Sequence, residues 1–172
     1  MEELIEKVEQ WAEVRKLHTA DPKAQTLKVV EEFTEMLLAY DKGSPDGVID
    51  GIGDTYVTII ILAKQLGIDF YKVMAEKKHA PIAVDGYAVS RFFEAINKLT
   101  TGVAKSDREQ VTWAMADTLA IADYIAHIVN RTPEFCLSVA YNEIKDRKGM
   151  MIDGTFVKYD DLTEEQQKEL DK

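Results

Sequence analysis

The chain contains one cysteine, Cys136, in 172 residues, so no disulfide can close within it and no cysteine zinc site is available. That scarcity suits a reducing, cytoplasmic setting. No run of 18 apolar residues occurs, and the opening MEELIEKVEQW is charged and amphipathic, so neither a membrane span nor a secretion signal is expected. Bases are also in deficit: 21 Lys and Arg face 31 Asp and Glu, a formal charge of -10. Such a balance disfavours the phosphates of a nucleic acid polymer and the surface of an anionic membrane. A small phosphate-bearing molecule fits if a metal bridges it to the acids. Histidine is sparse and scattered; Asp123 and His127, four residues apart, read as a structural pair. Cys136 sits in an apolar segment with no basic neighbour and reads as a buried, inert thiol. Neither GxxxxGK[ST] nor GxGxxG is present.

What the chain does have is helical periodicity, and its 46% hydrophobic content is enough for one compact domain over residues 1–172. Leu4, Val8 and Trp11 mark the buried face of a first helix, about Glu3 to Leu17. Asp21 as N-cap and Pro22 in the first turn open a second helix to about Tyr40, with Leu27, Val30, Phe33, Leu37 and Leu38 toward the core. A third helix, about Asp46 to Gln65 with Gly67 as its stop, is apolar nearly all round from Val57 to Ala63 and should be central. Gly51 and Gly53 inside it each cost up to ~1 kcal/mol relative to Ala, which implies a close approach to its backbone. A fourth helix, about Asp69 to Lys78, precedes a linker, HAPIAVDG. A last long helix is expected from about Pro133 to Lys148, then a hairpin turning at Asp153-Gly154, then a polar tail, 159–172, that is a frayed helix or disordered.

The acids form the strongest signal. Glu31 and Glu35 are spaced i,i+4 and Glu32 and Glu35 i,i+3 on the second helix, while Asp50 and Asp54 are i,i+4 on the third. An EExxE alone is ordinarily a solvated stripe, here with Lys28 one turn away. The second acidic pair on the next helix turns the two stripes into a candidate cage of hard oxygen ligands suited to Mg²⁺.

The chain also repeats itself. Asp54-Thr55 aligns with Asp117-Thr118 and Phe70 with Phe135, and Glu31 and Glu94 each lie 23 residues before those aspartates. Two related helical units follow, 1–78 and 84–158. In the second, Ala95 and Lys98 replace Glu32 and Glu35, so Lys98 is expected to neutralise Asp117 and plug the site. The second unit adds NEIKDRKG, in which Lys145 and Arg147 suit phosphate by charge and fork geometry. Cations complementing a helix C-terminus are the plainer alternative for them.

EEFTE at 31–35 and DGIGD at 50–54 together resemble the EExxE…ExxD pattern of MazG-like, all-α nucleoside triphosphate pyrophosphatases. EQWA, AQTLKVVEE, GDTYVTIIILAKQLGID and NEIKDRKGMMIDGTFVK are similar to small phage-type members. The resemblance implies an all-α, MazG-like bundle of two units forming a pseudo-dimer with a short C-terminal hairpin. It further implies Mg²⁺-dependent cleavage of a nucleoside triphosphate to monophosphate and pyrophosphate, in a site composed from both units. Glu31, Glu32, Glu35 and Asp54 would be catalytic, with Glu32, Glu35, Asp50 and Asp54 on the metal. Lys28, Asn142, Lys145, Arg147, Trp11 and Gln25 would face the nucleotide, although Trp11 equally suits the core. One departure stands out: Gly51 occupies the place of the family's glutamate, leaving Asp50 as the nearby substitute. A narrower dUTPase- or dCTPase-like enzyme and a catalytically weak nucleotide-binding or regulatory protein are the alternative readings, and self-association into a homo-oligomer is compatible with all three.

Overall fold

A computed structural model describes residues 1–77, 88–153 and 155–171. The expected linker HAPIAVDG, the end of the fourth helix at Lys78 and the unit boundary at 84 lie outside them. The described chain is mostly helical, with a short two-stranded hairpin near its C-terminal end. Helix α1 (Glu2–Val14) stops earlier than its apolar pattern suggested, because Lys16 turns left-handed at φ 59° and a 3-10 turn, Leu17–Thr19, follows. Helix α2 (Pro22–Asp41) begins as expected, with Asp21 Oδ1 accepting from the Lys23 amide at 2.9 Å. Helix α3 (Pro45–Leu66) ends on Gly67 at φ 63°, in the left-handed C-cap conformation that glycine adopts without steric cost.

The buried face of α2 is Thr26, Val29, Phe33 and Met36, one step round from the expected face. Leu27 and Leu38 are surface residues, 69% and 51% exposed. The reason lies across the helix pair. A Cβ on Gly51 would lie 2.8 Å from Met36 Cα, so α3 packs on the backbone of α2 there. On Gly53 a Cβ would collide with the carbonyl oxygen of Cys136 and the Cβ of Ala140, in the helix that covers α3 from the other side. Both glycines are therefore close-packing positions, as their cost within a helix implied.

Helix α4 (Phe70–Lys77) leads to α5 (Ala88–Lys105) and α6 (Arg108–Ile128), then α7 (Pro133–Ile144). Helices α2 and α3 pair extensively, as do α5 and α6. The short helices cross over: α4 packs on α6, and α7 packs on α3, so each pair is covered by the helix that follows the other. One continuous apolar cluster runs from Ile5 through Ile144, with α3 at its centre, buried almost without break from Val48 to Ala63. Asp123 finds partners other than His127. Its carboxylate accepts from Tyr56 Oη at 2.5 Å and Lys77 Nζ at 2.5 Å, joining α3, α4 and α6.

Helix α7 is shorter than expected, so Arg147 lies in the turn that follows it. Strands β1 (Gly149–Ile152) and β2 (Thr155–Lys158) then pair antiparallel, Gly149 opposite Lys158 and Ile152 opposite Thr155. The hairpin turns at Asp153, left-handed at φ 47°, as its sequence suggested. Of the two readings of the tail the helical one holds: Thr163 and Gln166 form a reciprocal capping box that opens α8 (Glu164–Leu170).

Candidate functional site

Helix α2 turns its core face toward α3, which leaves the neighbouring stripe of Gln25, Lys28 and Glu32 along the edge of the pair. Asp54 of α3 faces the same edge. Together they line a cavity of about 310 Å³, closed on its other sides by Trp11, Arg147 and the hairpin residues Phe156 and Lys158. Six of the residues singled out from sequence therefore meet in one place: Trp11, Gln25, Lys28, Glu32, Asp54 and Arg147.

The remaining candidates are distributed around that cavity and do not line it. Glu31 is on the rim, paired with Lys28 at 2.6 Å. Glu35 is exposed and acts at a distance, since its charge helps raise the pKa of Glu32. Asp50 lines a separate cavity with Glu143 and Phe135. Asn142 and Lys145 bond to each other on the exposed surface, Nζ to Oδ1 at 3.1 Å.

Electrostatics bind these acids into one system. Burial pushes the Asp54 carboxyl up to about 7, the charges of Glu32, Asp50 and Glu143 push the same way, and Arg147 opposes them. Glu32 is raised by burial and by Glu35, against the pull of Lys28. Converging carboxylates of this kind favour a proton or a cation. Glu143 escaped the sequence reading, although it sits inside NEIKDRKG; its role depends on α7 packing against α3, which no local pattern reveals. Phe156 and Lys158 were legible only as parts of a hairpin.

The turn that carries Arg147 is held by Trp11 of α1 and by Arg15 just after it. Trp11 is 8% exposed, and its Nε1–H donates to the carbonyl of Ile144 at 2.7 Å. Arg15 lies over the indole at 4.7 Å and donates to the carbonyl of Arg147 through Nε at 3.0 Å and Nη2 at 2.7 Å. With Phe156 edge-on at 6.2 Å, the indole is chiefly a wall and an anchor for the turn carrying Arg147.

The donor set suits a hard divalent cation by chemistry: Glu32 and Asp54 share the cavity, with Glu35, Asp50 and Glu143 close enough to repel them. Among the described residues no three acidic, histidine or cysteine side chains converge as a ready-made metal group, so the acids as they stand are only partly assembled. Position 51 faces the α2 backbone, whereas Asp50 contributes to the field at Asp54 and Glu32.

The corresponding place in the second half is neutralised. Asp117 lies 3.9 Å from Lys98 Nζ, as the repeat implied, and 4.0 Å from Arg91 Nη2, which the repeat did not reveal. Glu94 pairs with Lys98 at 2.7 Å and Arg91 at 3.7 Å.

No family model matches the chain, and no solved structure matches it. It is 44% identical over 70 residues to an uncharacterised 18.2 kDa protein from the rep-hol intergenic region of Haemophilus phage HP1. That match covers 40% of this chain and 43% of the phage protein. No helix among the described residues is long and apolar enough to cross a membrane.

Proposed function

We propose that the cleft between α2, α3 and the α7 turn is the site of a Mg²⁺-dependent nucleoside triphosphate pyrophosphohydrolase, producing a monophosphate and pyrophosphate. One observation carries this reading: half-buried acids and phosphate-suited cations line the same cavity, Glu32 and Asp54 together with Lys28 and Arg147. The first pair suits a hard cation and the second the oxygens of a phosphate chain. The motif resemblance to MazG-like pyrophosphatases, and a composite site drawing acids from residues 1–78 and Arg147 from the second unit of a pseudo-dimer, support the same conclusion.

In this reading Glu32 and Asp54 hold the metal, with Glu35 and Asp50 brought in by side-chain rotation. When bound, the cation neutralises charge on the phosphates and on the leaving pyrophosphate and acidifies an attacking water. Arg147 and Lys28 orient the phosphates, and Gln25, bonded to the Thr58 carbonyl at 3.1 Å, braces the floor of the cleft. Trp11 and Phe156 supply an apolar wall against which a base fits. Asn142 and Lys145, paired on the rim, have at most a secondary part.

Incubating a nucleotide panel with Mg²⁺ and scoring pyrophosphate against orthophosphate tests the proposal. Pyrophosphate release that disappears in Glu32→Gln and Asp54→Asn supports it; orthophosphate as the sole product rejects it. Activity confined to dUTP or dCTP would narrow the enzyme. The partial assembly of the acids favours one rival, a nucleotide-binding or regulatory protein with weak catalysis, and tight binding without turnover would establish that one instead.

A further inference from the structure

In a chain of formal charge -10, four bases converge on one groove. Arg15 and Lys16 follow α1, Arg147 and Lys148 follow α7, and all four line a groove of about 490 Å³ in which, among the described residues, no carboxylate is part of the lining, Asp171 standing at its edge beside Lys148. Arg15 is committed to the turn carbonyls, since besides Arg147 it also donates Nη2 to the Lys145 carbonyl at 3.2 Å. Lys16 and Lys148 are exposed. Arg147 lines both this groove and the acidic cleft, so the two adjoin at this residue.

We infer that the groove is an anion subsite for a phosphoanhydride chain, contacted by Lys16, Arg147 and Lys148. Ammonium and guanidinium groups are donors only, which matches phosphate oxygens. Among the described residues no aromatic side chain lines the groove, and the nearby Tyr159 ring is already faced by Lys148 Nζ at 5.8 Å, so single-stranded nucleic acid is the poorer fit. A chain of phosphates entering from the cleft passes Arg147 and reaches Lys16 and Lys148. Asp171 is the internal competitor, 3.7 Å from Lys148 Nζ and fixed by the Tyr159 hydroxyl at 2.7 Å. The subsite stands on the groove itself; assigning it to the leaving phosphates of a triphosphate rests on the proposed function.

Calorimetric titration of inorganic tripolyphosphate into the full chain, without divalent metal, is the test. Binding is expected, weakened about ten-fold or more in the double variant Lys16→Ala/Lys148→Ala. The equally charge-depleted control Lys42→Ala/Lys105→Ala should stay within about twofold of the parent chain, and Asp171→Asn should tighten binding. Absence of binding, or equal loss in both double variants, overturns the subsite; equal loss would mark a diffuse charge effect. Hydrolysis is scored separately. Tripolyphosphate binding without triphosphate turnover keeps the subsite and removes the hydrolase, whereas turnover whose KM ignores Lys16→Ala/Lys148→Ala overturns the assignment to leaving phosphates.

Discussion

The helix pairs α2/α3 and α5/α6 place an aspartate at the same point, and they differ in what surrounds it. Asp54 has acids for neighbours, opposed by Arg147 from the far end of the chain, and its carboxyl is pushed up to about 7. Asp117 has two local cations, Arg91 and Lys98, that offset its burial. Both carboxyls are pushed up by burial first, but at Asp54 further acids add to the rise, whereas at Asp117 Arg91 and Lys98 pull against it. The glycines sharpen the contrast, since Gly51 and Gly53 correspond to the buried Ala114 and Ala116. Small residues at both places mark helix packing, and the second pair has its close approach elsewhere, where a Cβ on Gly102 would lie 2.8 Å from the Val111 side chain.

The largest effect should fall on turnover. Asp54→Asn or Glu32→Gln is expected to cut pyrophosphate release about 10²-fold or more, while Asp117→Asn stays within about twofold; similar losses in all three would erase the distinction between the pairs. Next comes packing. Gly51→Ala should destabilise the fold by about 2–4 kcal/mol in urea denaturation, because the Met36 backbone cannot yield, whereas Ala114→Gly should cost about 1 kcal/mol.

A smaller effect depends on pH. The folded-state carboxyl of Asp54 titrates about 7 against an ordinary value of 3.8, so its penalty is absent at low pH, grows as pH rises through that window and is constant above it. Asp54→Asn should therefore raise thermal stability at pH 8 in the absence of metal, by on the order of 1–3 kcal/mol, and leave it unchanged near pH 3. A stability gain that is the same at both pH values would contradict this account.

The smallest effect is a transplant. Glu35→Lys places in the first pair the lysine that Lys98 supplies in the second. It should raise melting stability by up to about 1 kcal/mol and abolish any stabilisation by Mg²⁺; Mg²⁺ stabilisation that survives would show that the two pairs are not equivalent.

Much of the helical order was legible because its determinants are local: the Asp21 cap, Pro22 in a first turn, Gly67 as a stop and a hairpin turn at Asp153. The lysine that faces Asp117 was legible from the repeat, because residues 19 apart meet once two adjacent helices pair. The register of α2 was not, since apolar residues on two of its faces compete and only the contact of Gly51 with Met36 selects between them. Nor was the end of α7, where Arg15 from the first helix takes the carbonyls and turns Arg147 out of the helix.

By itself, then, the sequence determined which residues carry charge, their spacing along each helix and the places where backbones must approach, because each follows from a few neighbouring residues. Tertiary structure alone decided that Glu32 and Asp54 share a cavity while Asp50 turns to Glu143, and that Arg147, Phe156 and Lys158 close it. The closure of the cavity joins Glu32 to residues more than a hundred positions away, and only the crossing of α7 over α3 and the clamp at the end of α1 bring them together.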